Sequence, residues 1–125
     1  MRKNFILILP VIVYCTFIFI QSCYPSPKGI PQFAFSDKIM HTAGYALLGA
    51  LTARALFNGN WGMKDPQSNR NFLIITAILF SAMYGVSDEI HQSFVAARSG
   101  DIFDVAADSA GSVIGVLFFV KCRCL

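Results

Sequence analysis

Residues 101–120, DIFDVAADSAGSVIGVLFFV, decide how many times this chain crosses a membrane. Between Asp108 and Lys121 only Ser109 to Val120 is uncharged, and an apolar run of about 10–14 residues more often forms a buried or re-entrant segment than a span. Starting the helix at Asp101 restores a full crossing. That start requires Asp104 and Asp108 to face protein or a wet cavity instead of lipid, the usual rule for intramembrane acids. Within the same stretch, Gly111-x-x-x-Gly115 has the spacing that lets helix backbones approach closely.

The segments upstream are easier to read. A third helix is expected over about 72–94, where small residues (Ala77, Ser81, Gly85) precede a polar end made of Asp88, Glu89 and Gln92. A loop from Asn58 to Asn71, with Gly59, Gly62 and Pro66, separates it from a second helix over about 37–57. The connector Tyr24 to Ser36 carries Pro25, Pro27, Gly29 and Pro31 and reads as a short interfacial segment, with Lys28 as an anchor. Ahead of it no charge falls between Asn4 and Pro27, and Phe5 to Ile20 is almost wholly aliphatic or aromatic. A first helix over about 5–24 therefore spans a hydrocarbon core of roughly 30 Å. The competing reading is a signal peptide, or a lipoprotein signal ending at Cys23, because Met1-Arg2-Lys3 is a basic start. The apolar run exceeds an h-region of about 7–15 residues, and Gln21-Ser22 is a poor small-residue cleavage site, so the span is preferred.

Composition agrees. With 125 residues there is room for one domain, 1–125, and 55% hydrophobic residues with a mean hydropathy of +0.57 is too apolar for a soluble domain of that size. The expected fold is all-α, a polytopic membrane protein forming a four-helix transmembrane bundle. Net charge is +3 and the ten Lys and Arg are scattered singly, which excludes a nucleic-acid stripe. With four spans, Arg2, Lys3, Arg54, Lys64, Arg70, Lys121 and Arg123 share one side and Lys28, Lys38 and Arg98 the other. That bias places both termini in the cytoplasm of a bacterium, the protein lying in the inner membrane. The acids run the other way: Asp37, Asp88, Glu89, Asp101, Asp104 and Asp108 gather toward the outer face, leaving Asp65 inside. Cys23 lies across the membrane from Cys122 and Cys124, and Cys15 sits in an apolar run, so a structural disulfide is not expected. Two thiols at i, i+2 also lack the further ligands of a zinc site.

The ionisable residues form a pattern. Asp37, His41 and Tyr45 recur at i, i+4 and i+8, one helical stripe that continues as Gly49 and Ala53. Helices three and four repeat the arrangement of small residues deep and polar residues shallow, the fourth with Asp101, Asp104 and Asp108. Packed seam to seam, three such helices enclose a polar pocket open to the outside. A charge near mid-bilayer costs on the order of 2.5–3.5 kcal/mol, so such residues need partners or a function. Six acids against Lys38 and Arg98 leave four negative charges if both histidines are neutral. Some carboxylates are therefore solvated, share a proton or bind a divalent cation, although no cofactor motif is evident.

Each residue also has a plainer reading. His41 is balanced between a hydrogen bond across to a helix-three acid and a catalytic or proton-relay role. His91 reads as peripheral, Tyr45 as a packing aromatic with its hydroxyl satisfied across the bundle, Asp101 as a helix N-cap, and Gly111 and Gly115 as packing. Glu89 is free to snorkel or face the loop, whereas Asp88, one turn deeper than Gln92, is the better candidate for the pocket.

The set Asp37-Lys38-x-x-His41-x-x-x-Tyr45, then Asp88-Glu89-x-x-Gln92, Arg98, and Asp104 with Gly111 and Gly115 resembles the VanZ-like family of small integral-membrane proteins. The resemblance covers roughly Asp37 to Gly115 as several motifs in consistent order. It departs at Asp108, where the family pattern leads one to expect Asn. What the resemblance implies is an association with lowered susceptibility to glycopeptides such as teicoplanin in the founding member, without an assigned activity for most relatives. By the same pattern Asp37, Lys38, His41, Tyr45, Asp88, Glu89, Gln92, Arg98 and Asp104 carry over as the functional cluster, with Asp108 lining the same pocket. Three functions compete. The first is binding or reorganising a membrane lipid or lipid-linked peptidoglycan precursor at the cell envelope. The second is an intramembrane enzyme with His41 and Asp88 as an acid–base pair on a phosphorylated or glycosylated lipid held by Lys38 and Arg98, in one variant with a cation among Asp88, Asp104 and Asp108. The third is proton-coupled transport, which would need an oligomer to complete a path.

Overall fold

The computed structural model describes residues 2–25, 36–61, 68–96 and 98–123. Among them every regular element is an α-helix: α1 (Arg2–Ser22), α2 (Ser36–Asn58), α3 (Arg70–Ser93) and α4 (Ile102–Arg123). The interfacial connector with Pro27, Lys28, Gly29 and Pro31, the loop positions Gly62, Lys64, Asp65 and Pro66, and Cys124 lie outside the described residues. α1 starts at Arg2 instead of Phe5 and α4 runs on to Arg123 instead of stopping at Val120. Long basic side chains extend away from an apolar stem, so a helix can continue through them.

Three helices, α1, α3 and α4, are long and apolar enough to cross a membrane. The Asp101–Val120 stretch is thus not the marginal one. α2 is, although it has 23 residues, because Asp37, Lys38, His41, Thr42, Thr52 and Arg54 dilute its apolar character. Its position explains the difference: α2 contacts α1, α3 and α4, most extensively α4, so its polar side chains other than exposed Asp37 meet protein. Bulky apolar side chains point outward from all four helices, Ile39, Met40 and Leu47 on α2 included. Phe5, Ile12 and Phe17 do so on α1, Phe72, Leu79 and Met83 on α3, and Leu117 and Phe118 on α4. Exposed apolar surface on that scale marks contact with lipid or another protein.

The buried faces repeat every three or four residues: Leu73, Ala77, Ser81, Gly85 and Asp88 on α3, and Asp104, Asp108, Gly111 or Ser112, Gly115 or Val116, and Val120 on α4. Close approach of α4 to α2 depends on glycine. A Cβ at Gly111 would run into the Thr42 carbonyl oxygen, and one at Gly115 into that of Ala46. Tyrosine hydroxyls fasten α1 to its neighbours, Tyr14 donating to the Gly44 carbonyl at 3.1 Å and Tyr84 to the Cys15 carbonyl at 2.6 Å. Successive helices run antiparallel. At one end Asn4 and Asn60 exchange two hydrogen bonds while Arg123 donates to Asn58 and lies over the Phe57 ring. At the other end Ser22, Lys38, Asp88 and Asp101 come together.

Candidate functional site

The polar end is assembled from the last turn of α1, the first two turns of α2, the last two of α3 and the first two of α4. Two networks meet there. In the first, Lys38 is surrounded by acids: its ammonium donates to Asp104 and, at 2.8 Å, to Asp101, with Asp37 at 3.8 Å. Asp104 is buried, Asp101 partly exposed and Asp37 open to the surface. Lys38 beside Asp101, which lies just ahead of α4, holds that carboxyl below its usual range. Asp101 also caps α4, accepting the Phe103 N–H at 2.9 Å.

His41 is the centre of the same network. Its Nδ1 lies 2.8 Å from Asp108 Oδ1 and 3.8 Å from Glu89 Oε1, and its Nε2 is 3.9 Å from both Asp37 Oδ1 and Asp104 Oδ2. The ring is therefore clasped by carboxylates on both nitrogens. Asp108 is fully buried and packs on Gly85, where an added Cβ would sit 2.8 Å from its own Cβ. Glu89 Oε2 accepts the Asp101 N–H at 3.0 Å.

The second network belongs to Asp88. One of its oxygens accepts from the Ser22 hydroxyl and the other from Gln92 Nε2 at 2.9 Å, and Gln92 Oε1 in turn accepts from Arg98 at 2.7 Å. Asp88 is thus turned toward α1. Among the described residues His41 makes no ionic contact with Asp88, and its close partner is Asp108 on α4 instead of the helix-three acid expected from the sequence. The reason is helical geometry: neighbouring residues project about 100° apart, so Asp88 and Glu89 face different helices. Glu89 meets the loop as expected, through the Asp101 N–H, but it is buried and turns its other oxygen toward His41. A cation shared among Asp88, Asp104 and Asp108 is disfavoured on the same ground, since the donors that converge are His41 with Glu89 and Asp108, or with Asp37 and Asp104.

Tyr45 is buried as a packing aromatic in the α1–α2 core, but its hydroxyl has no hydrogen-bond partner among the described residues. Two other buried atoms share that condition, Glu89 Oε1 and Asp108 Oδ2. His91 stays at the edge, tilted against Phe19 with ring centroids 4.8 Å apart and 3.5 Å from Cys23 Sγ. Sequence reasoning missed Ser22. The signal was present, because Ser22 follows Ile18 by four residues and so continues the buried face of α1.

A chemically competent arrangement results. An imidazole held between carboxylates can exchange a proton or ligate a metal, and Arg98 at the rim has a planar fork suited to an oxyanion. A family model described as VanZ/LLP1 matches residues 3–123, nearly the whole chain. No curated protein and no solved structure matches it.

Proposed function

The chain belongs to the VanZ/LLP1 family, and from that membership we propose a four-span protein of the bacterial inner membrane, both termini cytoplasmic, whose polar end binds or reorganises a cell-surface lipid or lipid-linked peptidoglycan precursor. The three apolar helices and the packing of α2 along them support four spans. The excess of basic residues at the Asn4, Asn58 and Arg123 end supports the orientation. One observation carries the binding reading. Ionisable side chains from three helices converge at one end, while the seam below them is made of small and apolar residues. Buried charge at that depth is costly, and helices that already pack through Gly111 and Gly115 do not need it to associate. A ligand-binding role accounts for the cluster, with Arg98 at the rim facing an anionic headgroup. Lowered glycopeptide susceptibility would follow if the bound precursor is the one the antibiotic recognises.

The test is the thermal stability of detergent-purified protein titrated with a lipid-linked cell-wall precursor and, separately, with a glycopeptide. A saturable rise with the precursor, lost in Arg98→Gln, is expected. No shift with either, in wild-type protein that remains folded, would defeat the reading. An acid–base enzyme on the same lipid is favoured as the second reading by the His41–Asp108 contact at 2.8 Å, and product formation abolished by His41→Gln would establish it.

A further inference from the structure

We propose that His41, Glu89 and Asp108 hold a divalent transition-metal ion on the Nδ1 side of the imidazole. This goes beyond the headgroup reading and does not depend on it. The His41 nitrogen and one carboxylate oxygen each from Glu89 and Asp108 lie within 4.8 Å of one another. Nδ1 is 2.8 Å from Asp108 Oδ1 and 3.8 Å from Glu89 Oε1. Donors about 2.1 Å from a six-coordinate dication stand roughly 3 Å from their neighbours, so the observed spacings close on such an ion with small side-chain shifts.

Three buried polar atoms on or beside these residues lack a partner among the described residues, and the one on Glu89 faces the site. Glu89 is fixed through Oε2 by the Asp101 N–H, which leaves Oε1 aimed at His41 without a partner among the described residues. Asp108 Oδ2 lacks one too, although the residue is 0% exposed. The Tyr45 hydroxyl, on a side chain only 3% exposed and with the carboxylates of Asp88, Asp108 and Glu89 as electrostatic neighbours, is the third. Leaving a buried polar atom unpaired costs about 1–3 kcal/mol, and two of these three atoms belong to carboxylates. Lys38 does not relieve them, because its ammonium is engaged by Asp101 and Asp104.

The surroundings of the other ring nitrogen fit as well. Nε2 faces Asp37 and Asp104, each at 3.9 Å. With the ion on Nδ1, the ring proton sits on Nε2 and points at those acids, the arrangement by which a carboxylate orients a metal-bound imidazole. One imidazole with two carboxylates suits zinc or manganese better than calcium, which takes 6–8 oxygen ligands.

The experiment uses full-length protein purified in mild detergent without chelator, assayed for metal by elemental analysis, then stripped and titrated with Zn2+ or Mn2+ alone, with no lipid present. About one ion per chain is expected to be retained or regained. Glu89→Gln and Asp108→Asn are each expected to weaken binding at least about tenfold. Ser87→Ala, an exposed position on the same helix whose hydroxyl is spent on the Tyr84 carbonyl, should leave it unchanged. Gel filtration and circular dichroism identify the variants that remain folded. If Glu89→Gln does not fold, Asp108→Asn decides the matter. Folded wild type that takes up no stoichiometric ion overturns the proposal, as does unchanged affinity in the folded carboxylate variants. Because lipid is absent, that failure says nothing against headgroup binding, and a failed headgroup titration would not touch the metal result.

Discussion

The two ends of these four helices are built by opposite rules. Toward the Asn58 and Arg123 end, Ala53, Phe57, Leu73, Ala77, Val116 and Val120 form a dry cluster in which contact distance is the only requirement. Toward the Ser22 and Asp101 end the same helical faces present Asp88, Glu89, Gln92, Asp104 and Asp108, all buried. The dry half demonstrates that this backbone arrangement can be held by small residues and apolar packing. The polar half therefore answers to something other than association. In its own energetics it is the vulnerable half, since each buried charge must keep its partner.

That contrast can be broken most severely from the seam. Gly115→Leu places a side chain where the Ala46 carbonyl oxygen already stands, and separation of α4 from α2 should cost about 4 kcal/mol or more, among the largest effects of single substitutions. Gel filtration should show loss of the folded, monodisperse species; a variant that unfolds like wild type would show that close approach is not what holds α4. Next comes Lys38→Met, which strands Asp104 in a buried site and should cost about 3–5 kcal/mol. Adding Asp104→Leu should restore a large part of that, because removing both members of a buried pair is far milder than removing one. If the single and double variants unfold alike, Lys38 and Asp104 are not coupled and the polar half is less interdependent than its geometry implies. Ser22→Ala should be smaller, about 1–3 kcal/mol, from one unsatisfied oxygen on buried Asp88, and equilibrium unfolding in mixed detergent would register it.

How far the sequence carries can be seen residue by residue. The helices were legible because lipid imposes a length and an apolar requirement that local sequence alone satisfies, as in Phe5 to Ile20. The Gly111-x-x-x-Gly115 spacing foretold a close helix approach for a similar reason, since a missing side chain has one geometric consequence, though not that α2 would be the partner. Asp101 as a cap was likewise a local matter. Partner choice was not. Asp88 and Glu89 are adjacent and chemically alike, and which one meets His41 depends on the rotation of α3 against α1 and α2, a tertiary quantity with no local signature. The hydroxyl of Tyr45 failed its expectation for the same reason: a helix stripe shows which way a side chain points but not whether a donor waits there. α2 read as an ordinary span from its length, and that its polar residues would be sheltered by packing on α1, α3 and α4 is again a tertiary fact.

The mildest prediction separates the two ends by pH. Lys38 lowers the Asp101 carboxyl relative to an unfolded chain, so the folded protein favours the ionised form. A lowered carboxylate stabilises the fold above its unfolded value, near pH 4, and that contribution disappears as pH falls through the lower folded value. Asp101→Asn should therefore be slightly less stable than wild type at neutral pH, with the difference shrinking to nothing in acid. Asn is as good an N-cap as Asp, so the Phe103 N–H keeps an acceptor, and the pH-dependent part reports first the Lys38 pair and after it the charge on the Phe103 N–H bond. Thermal midpoints of the two proteins measured from neutral to strongly acidic pH should converge, whereas wild type and a variant of the dry cluster such as Val120→Ala should stay separated by a constant amount. Convergence in both pairs would mean that acid acts on the whole bundle, and the assignment of electrostatics to one end and packing to the other would fail.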